Sequence, residues 1–360
     1  MKVLAFGSSL LSSYWNGAAT YYRGMYKYLH ALGYTITYAE PDAFNRQQNR
    51  DCDSVPYALS VVYQPGAWEN VLRELAPAAD LLVKHSGVGV DDAALEAALP
   101  GYRALGALAC IWDVDAPATL DRAEGDPLDP FRQDIPRYDA VLTYGGGPQV
   151  VARYKALGAP VCEPIYNGLD PETHYPVPTE PRYAADLVFL GNRLPDREQR
   201  VEELFLRAAS LAPEMTFLLG GEGWGGKPMP PNVRWMGHVP TSEHNAVNCS
   251  ARMVLNINRD SMAQVGFSPP TRVFEVAGSG SCLLCDAWPG VETFFVPDKE
   301  ILVVRNAGEI VAALRGYSSE AAAACGAALH LRALAEHTYA QRAQQAHVVL
   351  QTLWAGKRRA

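Results

Sequence analysis

The sequence predicts an α/β protein built from two domains, each with a parallel β-sheet covered by helices. Short apolar runs alternate with longer segments of helical periodicity, the pattern typical of such sheets. A polar, proline-rich segment near residues 166–182 interrupts the alternation, which then resumes. The chain has 360 residues, and this length suits two domains of about 100–200 residues each.

The first half contains five apolar runs bounded by Gly, Pro, Asp or Ser, and we predict each to be a buried strand. They are Lys2–Phe6, Thr35–Ala39, Asp80–Lys84, Leu108–Trp112 and Ala140–Thr143. Between the first two runs, residues 18–32 place apolar side chains at helical spacing. Gly33 follows as a C-terminal cap, so a helix is predicted there.

The proline-rich segment predicts a linker at 169–184, which separates a first domain at 1–168 from a second at 185–337. The predicted strands of the second domain are Asp186–Leu190, Met215–Leu219, Val233–Trp235, Met253–Ile257, Ser281–Cys285 and Ile301–Val304. Helical patterns cover 196–211, 241–250, 270–278 and 307–316. After Tyr317 the Ala-rich chain predicts helix to its end, including a last segment at 338–360.

Composition and charge argue against several classes of protein. A formal net charge of −8 disfavours a nucleic-acid partner, since phosphate binding normally needs a basic excess. No run approaches the ~18 apolar residues of a membrane span. The seven cysteines are an odd number at scattered positions and do not fit a disulfide framework. We therefore expect a cytoplasmic protein without a transmembrane segment.

The most informative stretch runs from Ser268 to Gly280, where two prolines precede a helical pattern. The helix would start near Thr271 and present Arg272 and Glu275 one turn apart. A carboxylate there can accept hydrogen bonds from a ribose diol, while a guanidinium and free backbone N–H groups suit a diphosphate. A plain surface ion pair is the alternative interpretation.

Other candidates for binding the same ligand follow predicted strands. Asn258 and Arg259 end one strand, and in parallel sheets such ends face the ligand crevice. Glycine-rich turns follow two further strands, and glycine lets backbone N–H groups approach a phosphate closely. The turn residues are Gly191, Asn192, Arg193 and Gly221. The sequence has no Gly-x-Gly-x-x-Gly motif after the first strand, which disfavours a dinucleotide-binding site. It also has no Walker motif, which disfavours an ATP-binding site of the P-loop type.

The first domain carries the acid–base candidates. Asp113 and Asp115 lie just past a predicted strand, as a metal-binding pair or as a general base with an orienting residue. His85 follows the neighbouring strand and is the second choice for a base after Asp115, although a lone histidine is more often structural. Tyr21, Tyr22 and the preceding Tyr14-Trp15 pair could stack on an acceptor, with helix packing as the alternative.

The second domain resembles the CgeB-like (spore-maturation-protein-like) bacterial glycosyltransferases. Their pattern has an Asn-x-x-Arg strand end, then Ser-Pro-x-x-Arg-x-Phe-Glu, a Gly-containing helix end and an Asp-x-Trp-Pro-Gly turn. This chain has Asn256–Arg259, Ser268–Glu275, Gly278, Gly280 and Asp286–Gly290 at these positions. The first domain matches through 113–120, 136–139 and 144–148.

This resemblance implies the GT-B architecture: two Rossmann-like domains facing a cleft, with C-terminal helices crossing back to the first domain. It also implies a nucleotide-sugar donor held by the second domain, no cofactor and no obligatory metal. One departure concerns the mechanism. Glycogen-synthase-like retaining enzymes carry two glutamates eight residues apart; Glu275 matches the second, but Phe267 occupies the first position. Neither a retaining nor an inverting outcome can be carried over.

Three functions remain open from the sequence. The first is transfer of a sugar from a nucleotide-sugar to a glycan, protein, lipid-linked or small-molecule acceptor. The second is a nucleotide-sugar 2-epimerase of the same fold, and the third is a non-catalytic glycan- or nucleotide-binding protein. The sugar, nucleotide, acceptor and homo-oligomeric state stay undetermined.

Overall fold

The computed structural model describes residues 1–14 and 16–358. The chain divides into two compact units, and the first of them is made of two separate parts of the sequence. Unit 1 comprises Met1–Asn167 and Tyr339–Ala360, and unit 2 comprises Gly168–Thr338. Each unit is built around its own parallel sheet, so the predicted α/β architecture with two parallel-sheet domains is confirmed.

Unit 1 contains a seven-stranded parallel sheet in the order β3-β2-β1-β4-β5-β6-β7. The strands are β1 (Lys2–Phe6), β2 (Thr35–Pro41), β3 (Leu59–Tyr63), β4 (Leu81–His85), β5 (Leu108–Asp113), β6 (Ala140–Thr143) and β7 (Cys162–Pro164). The central strands β4, β5 and β6 are buried throughout, which explains their uninterrupted apolar sequence. The helices are α1 (Ala19–Ala31), α2 (Trp68–Leu75), α3 (Asp92–Ala98), α4 (Ala116–Gly125), α5 (Pro130–Asp134) and α6 (Gly147–Ala156).

Unit 2 contains a six-stranded parallel sheet in the order β10-β9-β8-β11-β12-β13. Its strands are β8 (Ala185–Leu190), β9 (Phe217–Gly220), β10 (Val233–Trp235), β11 (Ala251–Asn256), β12 (Leu283–Asp286) and β13 (Leu302–Val304). Strand order reverses between β8 and β11, which is where open α/β sheets form a ligand crevice beyond the carboxyl ends of the strands.

The helices of unit 2 cover its sheet and end in a long Ala-rich helix. They are α7 (Pro195–Val201), α8 (Arg207–Leu211), α9 (His244–Ser250), α10 (Asp260–Val265), α11 (Thr271–Ser279), α12 (Ala307–Gly316) and α13 (Ser319–Glu336), with a π-helical turn at Glu202–Leu206 joining α7 to α8. The last helix of the chain, α14 (Tyr339–Lys357), belongs to unit 1. There it packs on α1, where a Cβ atom at Gly24 would lie 2.3 Å from the Tyr339 ring, so a side chain at Gly24 would push the two helices apart.

The segment predicted to be a linker, 169–184, is instead part of the body of unit 2. Leu169 is buried and its backbone N–H donates to the carbonyl of His337 at 2.7 Å. His174 is also buried, and its backbone packs directly against Gly278 of α11. Most residues of 171–184 are exposed, as their proline-rich composition suggested, but the buried Leu169, His174 and Tyr183 fix the segment to unit 2.

None of the described helices is both long and apolar enough to pass through a membrane.

Candidate functional site

The carboxyl edge of the unit 2 sheet is organised by two loops that lie against each other. The N–H of Gly191 donates to the carbonyl of Gly220 at 2.8 Å, and the Asn192 side chain accepts from the N–H of Glu222 at 2.9 Å. Gly221 has φ +124°, and a Cβ there would lie 2.2 Å from the carbonyl oxygen of Gly191. Only glycine fits at this position, so the two predicted turns form one rigid edge.

The helix α11 starts where the sequence predicts, with Pro270 as its N-terminal flank and Thr271 as its first residue. Arg272 and Glu275 form an ion pair with 2.8 Å between Nη1 and Oε2. Burial by itself raises the pKa of the Glu275 carboxyl, but the charge of Arg272 together with the contributions of His244 and His174 outweighs burial, and the pKa lies well below its usual range. Glu275 is therefore an ionised, buried acceptor in the first turns of this helix.

Arg197 on α7 was missed by sequence analysis and lies beside the predicted residues. Its Nη2 donates to the carbonyl of Asn192 at 2.7 Å, and its guanidinium lies 5.6 Å from the ring centre of Phe189. Burial, together with the nearby positive charges of Arg272 and Arg259, lowers the pKa of Arg197 to about 10. Among the described residues, no carboxylate lies within 4.0 Å of its guanidinium. These three arginines form a cluster suited to an anion, and we call it the arginine cluster.

Arg259 is the member of the arginine cluster that lies between β11 and α10, directly before the first residue of α10. Its Nε donates to Asp196 at 3.0 Å, which ties the strand end to the start of α7. Asn258 is buried, and its backbone N–H donates to the Asp286 carboxylate at 2.9 Å. Arg193 pairs with Glu198 at 2.7 Å. Asn258 thus shapes the loop through its backbone and presents no exposed side chain.

Two histidines lie next to Glu275 and were also missed. His244, at the start of α9, has its Nδ1 atom 3.7 Å from Oε2 of Glu275. His174 is buried, and burial lowers its pKa. The sequences around these two histidines match no known motif. His174 also falls in the segment predicted to be a linker, so nothing in the sequence indicated this grouping.

In unit 1, Asp113 is the last residue of β5 and Asp115 follows it, and the two carboxylates occupy different environments. Asp113 is fully buried and accepts hydrogen bonds from Ser86 at 2.6 Å and from the hydroxyl of Tyr154. The backbone N–H of Asp115 also donates to it, at 2.9 Å. Burial raises the pKa of Asp113, and these hydrogen bonds oppose the rise. Asp113 therefore orients the loop, whereas Asp115, half-buried at the start of α4, is the more accessible carboxylate.

The structure argues against His85 as the base. The side chain is 1% exposed, and its Nε2 atom is hydrogen bonded to the hydroxyl of Tyr26 at 2.6 Å. The Tyr22 ring centre lies 4.3 Å away, and burial lowers the pKa of His85 to about 3. A weakly basic imidazole enclosed by aromatic rings cannot reach an acceptor hydroxyl, so the structural interpretation of this histidine is the better one.

Tyr21 and Tyr22 are also core residues, with exposed fractions of 1% and 0%. The Tyr21 hydroxyl donates to the carbonyl of Ile165 at 2.6 Å, which leaves its ring inside the unit. Stacking on an acceptor is therefore excluded for both residues in this arrangement. Tyr14 is partly exposed, and Trp15 lies outside the described residues.

Comparison with known proteins places the fold in a class. The model of a family described as "Glycosyl transferase-like" matches residues 197–347, a span that contains the whole arginine cluster and Glu275. None of the curated protein sequences is similar enough to the chain to count as a match.

Solved structures match almost the whole chain. A sucrose-phosphate synthase from Thermosynechococcus elongatus superposes with a TM-score of 0.72 and 13% identity, covering 99% of this chain and 100% of that one. HepE from Anabaena in complex with UDP-glucose gives a TM-score of 0.67 and 12% identity over 98% and 100%. A glycosyltransferase from Rickettsia africae gives 0.65 and 9% over 98% of both chains. The fold is therefore GT-B, while membership of the CgeB-like family stays a prediction.

Proposed function

We propose that this protein is a glycosyltransferase that moves a sugar from a nucleoside-diphosphate-sugar to an acceptor hydroxyl. The observation that carries the proposal is the arginine cluster beside the buried, ionised Glu275 at the reversal point of the unit 2 sheet. Three guanidiniums from separate elements, one of them without a carboxylate within 4.0 Å among the described residues, supply the positive charge that a diphosphate needs. The match to the glycosyltransferase-like model over these same residues supports it.

In this proposal each group has a chemical role. Glu275 accepts hydrogen bonds from the ribose diol, and the N-terminal end of α11 with Thr271 and Arg272 faces the diphosphate. Arg197 and Arg259 stabilise the negative charge that grows on the leaving diphosphate as the glycosyl bond breaks. Because arginines supply this charge, we propose that transfer needs no obligatory metal ion.

The acceptor side is assigned to unit 1. We propose Asp115 as the base that takes the proton from the acceptor hydroxyl, with Asp113 holding the loop in place through its hydrogen bond from the Asp115 backbone. The position eight residues before Glu275 is Phe267, which has φ +46° and donates its N–H to the carbonyl of Pro289 at 2.7 Å. An apolar ring there supplies no second carboxylate, so the stereochemical outcome is left to measurement.

The test starts with binding of the donor nucleotide. A thermal-shift panel of UDP, GDP, dTDP, CMP and ADP, each with and without Mg²⁺, is run on wild type, Glu275→Gln and the control Glu214→Gln. Glu214 is an exposed carboxylate of unit 2 that also pairs with an arginine, so it matches the charge change. Ligand at 100 times its dissociation constant adds about 2.7 kcal/mol of stability, which gives a clear shift.

We expect one nucleotide to stabilise wild type and Glu214→Gln regardless of Mg²⁺, and Glu275→Gln to lose most of that shift. UDP is the first choice, since HepE was solved with UDP-glucose. The matching nucleotide-sugar should then release free sugar of unchanged C2 configuration slowly to water. A 2-epimerase would invert C2, and a binding protein would release no sugar. No shift with any nucleotide, or an equal shift in both glutamate variants, contradicts the assignment.

A further inference from the structure

His174, His244 and Glu275 form a cluster whose ligand atoms point at one another. One nitrogen from each ring and one carboxylate oxygen all lie within 4.8 Å of one another. Among the described residues, Nε2 of His174 and Nδ1 of His244 are buried and have no hydrogen-bond partner. Two buried nitrogens left without partners cost free energy unless a proton or a metal ion joins them to the carboxylate.

The protonation pattern of the cluster suits a metal ion. The Nε2 atom of His244 faces the carbonyl oxygen of Val239 at 3.3 Å, which favours a hydrogen on Nε2 and a lone pair on Nδ1. A backbone carbonyl behind the outer nitrogen is the usual support of a histidine that binds a metal. A carboxylate oxygen of Glu275 completes the set of ligand atoms, and Oε2 of the same carboxylate also pairs with Arg272.

Three separate segments are fixed so that the cluster forms. Gly278 on α11 permits the backbone of His174 to lie in contact with the helix, because a Cβ at Gly278 would be 2.6 Å from the His174 carbonyl oxygen. The side chain of Asn245, next to His244, donates to the carbonyl of Thr173 at 3.0 Å. The two histidines are therefore held on one side of Glu275 by backbone contacts.

We propose that this cluster is a site for a transition-metal dication, with Zn²⁺ as its best fit. Two imidazole nitrogens and one carboxylate form a set that zinc accepts in tetrahedral geometry with one open position, whereas Mg²⁺ and Ca²⁺ prefer oxygen ligands. Zinc bonds of about 2.0–2.1 Å put ligand atoms roughly 3.3 Å apart, so the present spacing closes by small side-chain rotations.

Zinc at this site competes with Arg272 for the Glu275 carboxylate. Since Arg272 lies 2.8 Å from Oε2, the ion must displace that guanidinium or use the other oxygen. If Glu275 also binds the donor ribose, which rests on the proposed function, zinc and the nucleotide exclude each other. The ion then acts as an inhibitor of the enzyme and has no part in sugar transfer.

The experiment measures zinc binding first, with no nucleotide present. Protein stripped with EDTA is titrated with ZnCl₂ by calorimetry, in wild type, His244→Gln, Glu275→Gln and the control His238→Gln. His238 is an exposed histidine of unit 2 outside the cluster. We expect one zinc per chain in wild type and His238→Gln, with at least a 10-fold weaker affinity in the other two variants. Equal affinity in all four proteins, or no binding, overturns the site.

X-ray absorption at the zinc edge on the wild type provides a test that does not depend on a variant folding. Nitrogen and oxygen ligands with the signature of two imidazoles support the site, and sulfur ligands refute it by pointing to the seven free cysteines. A second titration follows UDP binding. The apparent Kd for UDP should rise with Zn²⁺ in wild type and stay constant in His244→Gln. Zinc binding that leaves the Kd for UDP unchanged refutes the competition alone, and loss of UDP binding without zinc refutes only the proposed function.

Discussion

Replacing Arg197 by Met should leave the stability of the protein nearly unchanged while it weakens nucleotide binding. The pKa of Arg197 falls from 12.5 to about 10, and at about 1.4 kcal/mol per pH unit the charged form is about 3 kcal/mol less favourable here than in water. Methionine keeps similar length without the charge. The substitution loses one hydrogen bond from a charged group to Asn192, worth about 2 kcal/mol, and a ring contact with Phe189, worth about 1 kcal/mol.

The net expectation for Arg197→Met is a free energy of unfolding within about 1 kcal/mol of the wild-type value, with UDP affinity reduced at least 10-fold, as for a lost charge-assisted contact. Urea unfolding gives the first quantity and calorimetry the second. Arg315→Met is the matched control, because Arg315 pairs with Glu214 on an exposed surface and should change neither quantity by much. A clear loss of stability with unchanged UDP affinity would show that Arg197 is a structural cation and refute the reasoning.

Two further predictions concern unit 1. Asp115→Asn should slow donor hydrolysis about 10²–10⁴-fold and leave the affinity for UDP unchanged. The control is Asp121→Asn, which changes an exposed carboxylate on α4. Equal hydrolysis rates in the two variants would refute the role of Asp115 as the base. The pKa of His85 is about 3 in the folded chain, whereas the ordinary value is 6.5. Between these two pH values the unfolded chain binds a proton at His85 and the folded chain does not, so the free energy of unfolding falls as the pH drops below 6.5. Between pH 6.5 and 5 wild type should lose about 2 kcal/mol more than His85→Phe in urea unfolding, and parallel pH curves would contradict the low pKa.

Strands that are buried on both faces could be predicted from the sequence, and strands at the sheet edges could not. β4, β5 and β6 are continuous apolar runs because helices cover both sides of a parallel sheet. β3 is an edge strand whose first residue, Leu59, is 64% exposed, and β7 has three residues including Glu163 and a proline. Neither carries enough apolar periodicity to stand out, so both were missed.

The candidate site divides in a similar way. Arg272 and Glu275 could be found because they share one helical turn after a proline pair, so their proximity follows from local geometry. Arg197 could not be found in this way, because its proposed role depends on two other arginines that lie far away in the sequence, one after β11 and one on α11. The only local trace of it is the spacing Arg-x-x-x-Arg at Arg193 and Arg197 after Gly191, and this spacing alone does not predict a binding site.

Charge compensation ranks the arginines of the cluster. Arg272 already has Glu275 as counter-ion at 2.8 Å, and Arg259 has Asp196 at 3.0 Å, so a diphosphate replaces or adds to an existing partner at these two positions. Arg197 instead contacts a carbonyl and an aromatic ring, and no carboxylate among the described residues pairs with it. A bound diphosphate would therefore be the first negatively charged partner of Arg197. The gain in Coulomb energy on binding is therefore largest at Arg197. Its loss should weaken nucleotide binding more than the loss of Arg272, although Arg272 is the residue that the sequence motif singles out.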